Sequence, residues 1–257
     1  MELYSEMAQL VAEGRGFVLA TVIESGGSTP QKPGSKMVVL ADGSLRGTVG
    51  GGAIEMQIVQ AAKELMQSPQ LSRIIETHLT HDLGMCCGGK MKVFLEKHAQ
   101  VPRLWIYGAG HVARELAALA ARVGFRVAVV DERSDWATRE RFPNVEELIV
   151  RNPSDHAREQ TGGSDCYYCI TTHDHPLDQA VLEALLRKPS AYLGVIGSRR
   201  KAERFKMRLQ AAGFSDEELA QIRSPMGMPI QALSPAEIAV SIVGELIERR
   251  RRAEPRR

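Results

Sequence analysis

The sequence predicts an α/β chain in two parts, a C-terminal Rossmann-type parallel sheet preceded by an N-terminal α+β domain. Three observations carry this. Apolar β runs alternate with helical patterns beyond residue 103. A G-x-G-x-x-A sequence at 108–113 follows the first of those runs and opens an Ala-rich helix. The first hundred or so residues instead show short strands, a hairpin turn and glycine-rich loops. The chain has 257 residues, 44% hydrophobic and 25% charged, enough for two cores without disulfide or metal staples. The polar, Pro-containing stretch 97–102 marks the boundary, giving domains at 1–100 and 101–257.

Residues 1–13 form a short amphipathic helix with Leu3, Met7, Leu10 and Val11 on one face. A strand follows at 17–24. The next ten residues, SGGSTPQKPG at 25–34, hold three Gly and two Pro, which excludes regular structure. Strands at 36–40 and 45–49 flank Asp42 and Gly43, a hairpin turn signal. Gly50, Gly51 and Gly52 lead into a helix over 53–67, whose start leaves backbone N–H groups free to seat an anion. The same glycines also suit plain turn geometry, and both readings stand. A strand at 73–79, the Cys–Gly loop LGMCCGG at 83–89 and a strand at 90–96 complete the domain.

In that loop Gly88 and Gly89 keep the backbone bare beside Cys86 and Cys87. Adjacent cysteines form a strained disulfide at best and are poorly placed to chelate one tetrahedral ion. Soft thiolates do suit thiophilic metals, including a molybdenum centre with sulfur ligands. The alternative is two buried cysteines beside a glycine turn. Cys166 and Cys169, the other two of the four cysteines, form a C-x-x-C inside a predicted central strand. Residues three apart in a strand face opposite sides, so these two read as small buried hydrophobes. The chain starts with a polar amphipathic stretch, not a signal-peptide pattern, and no apolar run approaches the roughly 20 residues of a membrane span. A reduced, cytoplasmic protein without membrane segments is expected.

The net charge is +2, but residues 249–257 hold six Arg against one Glu, and without them the remainder carries −3. The basic balance belongs to a tail, read as a solvated helix end or a contact for an acidic partner, and not to a nucleic-acid surface.

In the second domain, strands are predicted at 104–107, 126–130, 148–150, 165–171 and 191–196. Gly108 permits the tight turn, Gly110 lets a phosphate approach the backbone, His111 begins the helix and Ala113 packs it on the sheet. The second strand ends in Asp131, 23 residues after Gly108, placed to accept from a ribose diol and to repel a 2′-phosphate. Two more segments reach the carboxyl edge of the sheet. One is TTHDH at 171–175, with Thr171 and His173; the other is GSRRK at 197–201, with Gly197, Ser198 and Arg199. The latter offers backbone donors, a hydroxyl and three cations to a phosphate, or is a plain exposed helix start. His173 and His175 with one Asp are too few for a metal site, and ligand or structural hydrogen bonding is the favoured reading. A final helix opens at Ser234-Pro235-Ala236-Glu237, a capping box with Pro at its first position.

Seven stretches in one order, SGGSTPQKPG, GGGAIE, LGMCCGG, YGAGH, TTHDHPLD, GVIGSR and SPMG, cover nearly the whole length and resemble the XdhC/CoxI family of xanthine dehydrogenase accessory proteins. The doubled cysteine resembles the xanthine dehydrogenase branch, with Met85 a departure where that branch would carry Gln. The resemblance implies a carrier, not an enzyme. Such a protein binds molybdenum cofactor, a phosphorylated molybdopterin, and holds it while a cysteine desulfurase supplies the sulfido ligand. It then passes the cofactor to the molybdenum subunit of apo-xanthine dehydrogenase. Cys86 or Cys87 would contact the metal, and the Rossmann edge would hold the phosphate or a separate nucleotide. A homodimer is the default oligomer. Two other readings rest on the G-x-G-x-x-A and Asp131: a nicotinamide-dependent oxidoreductase of a small substrate, and a nucleotide-sensing regulatory module.

Overall fold

The structure, a computed structural model, describes residues 2–78 and 89–253. The chain divides into two compact units, Met1–Gln100 and Val101–Pro255. In the first, α1 (Glu2–Ala12), β1 (Phe17–Gly26), β2 (Lys36–Leu40), β3 (Leu45–Gly47), α2 (Gly52–Gln67), β4 (Ser72–His78) and β5 (Lys90–His98) follow in order. Among the described residues the strands pair antiparallel as β3-β2-β1-β5-β4. Alternation along the strands places Val18, Ala20, Met37, Val39, Val93 and Leu95 under Ile54, Ile58 and Leu65 of α2. Phe17, Leu19, Val38 and Leu40 point the other way, where Leu3, Met7 and Leu10 of α1 pack. Val11, expected on that stripe, is exposed instead; one residue past Leu10, it lies about 100° further round the helix. β1 outruns its predicted end because a register shift at Ile23 lets the strand keep pairing with β5 to Gly26. β3 stops two residues early because Thr48 and Val49 turn to hydrogen-bond the Glu55 carboxylate of α2.

The second unit runs β6 (Arg103–Tyr107), α3 (His111–Arg122), β7 (Arg126–Asp131), β8 (Glu147–Val150), α4 (Pro153–Glu159), β9 (Gly163–Ile170), α5 (His175–Leu185), β10 (Ser190–Val195), α6 (Arg199–Ala211), α7 (Asp216–Leu219), β11 (Ile222–Arg223) and α8 (Pro235–Ala253). Every pairing in its sheet is parallel, in the order β11-β10-β9-β6-β7-β8. The chain builds outward from β6 to β8, then crosses to β9 and builds the other way. The switch therefore lies between β6 and β9, where a doubly wound sheet opens its ligand crevice. Both faces are covered, which is why these strands read as continuous apolar runs. Leu104, Ile106, Val127 and Val129 pack under α3 and α8, while Trp105, Tyr107, Val130 and Tyr168 pack under α5 and α6. β11, two residues long, is too short to leave a pattern in the sequence.

The α8 capping box forms as expected: Glu237 N donates to Ser234 Oγ, and the Glu237 carboxylate accepts from Ser234 N. At the other end of α8, Arg249 donates to Ala191 O and Arg250 to Val123 O, the C-cap of α3. The start of the basic tail thus holds two backbone carbonyls, one of them at the C-cap of α3.

Cys166 and Cys169 lie on opposite faces of β9. Cys169 is buried among the α3–α8 core, and Cys166 packs half-buried against the other core. Burial pushes both thiols above their ordinary range. Both should therefore resist iodoacetamide in the native protein at neutral pH, read by peptide mapping. Rapid modification of Cys169 without unfolding would contradict this packing.

Candidate functional site

Pairing directions bring the glycine-rich segments of the first unit together. Because β1, β3 and β4 run opposite to β2 and β5, the ends of the first three and the starts of the other two share one edge. The connections 27–35 and 48–51, the start of α2, the end of β4 and the start of β5 all lie there. Gly51 and Gly52 have φ of 71° and 58°, and a Cβ on either would meet nothing within 4 Å. Backbone conformation demands glycine at these positions, and the space they leave is open. Gly51 is the N-cap of α2 and supplies no side-chain cap, so the helix presents bare N–H groups to that space. Gly50 is held differently: a Cβ there would stand 2.6 Å from Pro30 Cγ, so the glycine packs on the SGGSTP loop. Gly89 packs on the same loop, where a Cβ would lie 2.5 Å from Ser28 O and 2.6 Å from Gly26 O. Cys86, Cys87 and Gly88, the thiol part of the expected site, fall outside the described residues.

In the second unit the remaining expected residues gather at the carboxyl edge of the sheet, with different duties. Gly108 (φ 112°) donates to Val130 O at 2.8 Å, and a Cβ on it would collide with Thr171 O. Thr171 is buried, and both its N–H (2.8 Å) and its hydroxyl (3.3 Å) donate to Tyr107 O. These contacts pin the strand ends together at the switch point. Gly110, the N-cap of α3, is different again: its φ is −69°, and a Cβ would meet nothing within 4 Å. Among the described residues no contact requires glycine there. Ala113 is buried beneath α3. His111 is exposed, edge-on to Trp136 at 5.4 Å.

Asp131 is turned to the chain itself. Ala109 N (2.6 Å) and Arg133 Nη2 (2.7 Å) donate to Oδ2, while Arg133 N (2.9 Å) and Nε (2.9 Å) donate to Oδ1. Those bonds fill the acceptor directions of a carboxylate. The ribose-diol role expected of Asp131 would need Arg133 displaced, and an acid neutralised by a guanidinium no longer repels a 2′-phosphate. Burial acts to raise its pKa, but the hydrogen bonds from Arg133 and Ala109 outweigh it and hold the carboxyl below its ordinary value. Arg133 also lies over Trp136 at 4.8 Å, as does Arg141 at 4.5 Å, and Arg141 donates to Ala109 O at 3.0 Å. This Arg–Trp–Arg brace on the glycine loop left no signal in the sequence, since its members are joined by neither spacing nor motif.

The GSRRK segment supplies two exposed cations, not three. Lys201 turns inward to Asp178 Oδ2 (2.5 Å) and Ile196 O (2.9 Å). Asp178, 1% exposed, also accepts from Thr172 N (3.0 Å) and Thr172 Oγ1 (2.7 Å), so one buried ion pair ties the TTHDH loop to α6. Gly197 precedes Ser198, whose hydroxyl caps α6 by accepting from Lys201 N, and Arg199 is exposed. His173 and His175 are exposed as well. Among the described residues no cluster of three His, Cys, Asp or Glu is placed to hold a metal ion, and no helix is long and apolar enough to cross a membrane.

Comparison with known proteins places this geometry in context. Residues 104–246 match the family model of the XdhC Rossmann domain, and residues 10–76 match that of the XdhC and CoxI family. The Escherichia coli protein YqeB is 34% identical over 96% of this chain and 46% of its own length. A Bacillus subtilis protein described as a probable subunit of xanthine dehydrogenase is 32% identical over 62% of this chain and 46% of its own length. The chain therefore spans about half the length of these two relatives. The molybdenum cofactor insertion chaperone PaoD of Escherichia coli is 26% identical over 93% of this chain and 85% of its own. A solved structure described as a xanthine dehydrogenase from Bacillus halodurans, 25% identical, superposes with a TM-score of 0.55 over 96% of this chain and 95% of that one.

The two inward-facing acids differ in how they can be tested. Removing one partner of a buried ion pair costs about 3–5 kcal/mol, so Asp178→Asn should lower the urea-unfolding free energy by that order. A loss below about 0.5 kcal/mol would mean the pair behaves as a solvated one. Asp131, with its pKa depressed, contributes stability that is present above the ordinary carboxylate range and lost as pH falls through the folded value. The stability lost on acidification from about pH 5 to about pH 2 should therefore be smaller in Asp131→Asn than in the parent. Equal losses would show that Asp131 is not strongly bonded in the fold.

Proposed function

The chain belongs to the XdhC and CoxI family, and we propose that it is a carrier of molybdenum cofactor. In this reading it holds the cofactor for sulfuration by a cysteine desulfurase and passes it to the molybdenum subunit of a xanthine dehydrogenase. The observation that carries the reading is the convergence, at one edge of the first sheet, of the connections bearing SGGSTPQKPG and the triple glycine with the end of β4 and the start of β5, between which the cysteine pair falls in sequence. The described residues fit a phosphorylated pterin: Gly51 and Gly52 leave an open cradle, and the uncapped start of α2 offers N–H donors to a phosphate. Cys86 and Cys87, on the connection that opens at the same edge, supply soft ligands for its metal. When bound, the cofactor supplies the redox chemistry of the acceptor enzyme. This chain has only to bind, protect and release, which requires no proton-transfer pair.

The name of the relative PaoD, a molybdenum cofactor insertion chaperone, supports the same role. The oxidoreductase reading is weakened by Asp131, whose acceptor sites are taken by Arg133 and Ala109. The open flank of Gly110 keeps the Rossmann edge available to the pterin phosphate or to a nucleotide.

Protein purified without oxygen from a host that makes molybdenum cofactor should carry molybdenum and oxidised-pterin fluorescence in near-equal amounts. Both should be lost in Cys86→Ala/Cys87→Ala with the thermal unfolding curve unchanged. Undiminished cofactor in the double variant would remove the thiols from the site. Absence of both signals from the parent would overturn the carrier reading.

A further inference from the structure

A groove of about 550 Å3 lies between the start of α5 and one flank of α6. His175 and Pro176 form one wall, and Ser198, Arg200, Arg204 and Arg208 form the other. The arginines recur at every fourth residue, so they stand in a row with about 6 Å of helix rise between neighbours and about 12 Å end to end. No carboxylate lines the groove. Asp178 is spent on Lys201 beneath it, and Asp174 caps α5 by accepting from Leu177 N. Glu203 lines a separate cavity on another flank of α6, together with Lys206. Among the described residues neither Arg200 nor Arg204 has a carboxylate partner, and Arg208 reaches only the Gln179 amide oxygen at 3.1 Å.

This row breaks two local rules. Like charges four residues apart on a helix repel. Cations in a first turn oppose the helix dipole, and the first turn of α6 holds Arg199, Arg200 and Lys201 with no acid. Violations of local preference concentrate where a protein meets a ligand. One end of the groove, at His175 and Ser198, adjoins the segments that leave the carboxyl ends of β9 and β10, the ligand side of a doubly wound sheet, and Arg204 and Arg208 lie further along α6. Its volume is that of a small-molecule site, and Pro176 on one side and Phe205 on the other add apolar surface.

We propose that this groove binds a phosphate ester with at least two anionic groups, of nucleoside diphosphate size. A single phosphate would reach one end of a row about 12 Å long, whereas an extended diphosphate ester can engage more of the guanidiniums. The proposal draws on no residue of the first unit and does not depend on the molybdenum reading.

The test is calorimetric titration of the full chain with ADP, and separately with inorganic pyrophosphate. Saturable one-to-one binding is expected, weakened at least about tenfold in Arg200→Ala/Arg204→Ala. Lys206→Ala removes the same kind of charge from another flank of the helix and should leave affinity within about twofold. Circular dichroism establishes that each variant is folded. Four results would overturn the proposal. These are no saturable binding of either probe; equal weakening by Lys206→Ala, which reduces the effect to net charge; binding undisturbed by the double variant, which moves the ligand to the glycine loop at 108–110; and binding of a polyglutamate peptide in place of both phosphates, which makes the row a contact for an acidic protein.

Discussion

The carbonyl oxygen of Thr171 occupies the space that a side chain on residue 108 would need, and much of the second unit's carboxyl edge follows from that close approach. Only a residue without Cβ, held at a φ of 112°, lets the chain leave β6 and turn immediately into α3 while β9 passes alongside. Thr171 then returns both its N–H and its hydroxyl to Tyr107 O, and Gly108 donates across to Val130 O. Three strand ends are thereby pinned at the topological switch. Pinning them sets the start of α3, where Gly110 faces open space, the end of β7 that carries Asp131 and the loop that carries His173.

Around this pin, the two buried acids Asp131 and Asp178 are both neutralised by the chain's own cations. Asp131 holds Arg133 and the Ala109 amide, which fixes the glycine loop from below. Asp178 holds Lys201 and Thr172, which fixes the TTHDH loop to α6. Neither acid is then free to repel an approaching anion, while Arg199 and Arg200 remain exposed at the start of α6 on the same edge. The arrangement is suited to holding a negatively charged ligand.

The first unit reaches a comparable result by other means. Its sheet is antiparallel, so connections alternate between two edges, and the strand directions bring the connections 27–35 and 48–51 to the same edge as the end of β4 and the start of β5. Gly50 and Gly89 pack on the 25–34 loop from two sides, whereas Gly51 and Gly52 leave space beside an uncapped helix start. The glycines of this edge therefore divide into some that close it and some that keep it open.

Local patterning alone dictates the two-part organisation, the parallel sheet, the glycine turn at β6 and the capping box of α8. Each of these is written in short-range periodicity or in one short motif, and backbone preference is enough to express it. The separation of Cys166 from Cys169 was legible for the same reason, because strand alternation is a local rule. What a side chain does at the edge emerges only in three dimensions. Asp131 and Thr171 read from sequence as ligand contacts, yet their hydrogen bonds are filled by Arg133, Ala109 and Tyr107. Lys201 reads as a phosphate cation, yet it is drawn inward by an acid 23 residues earlier in the chain. A polar group brought out of water must find a partner, and which partner stands within about 3 Å is settled by packing of distant segments, not by spacing along the chain.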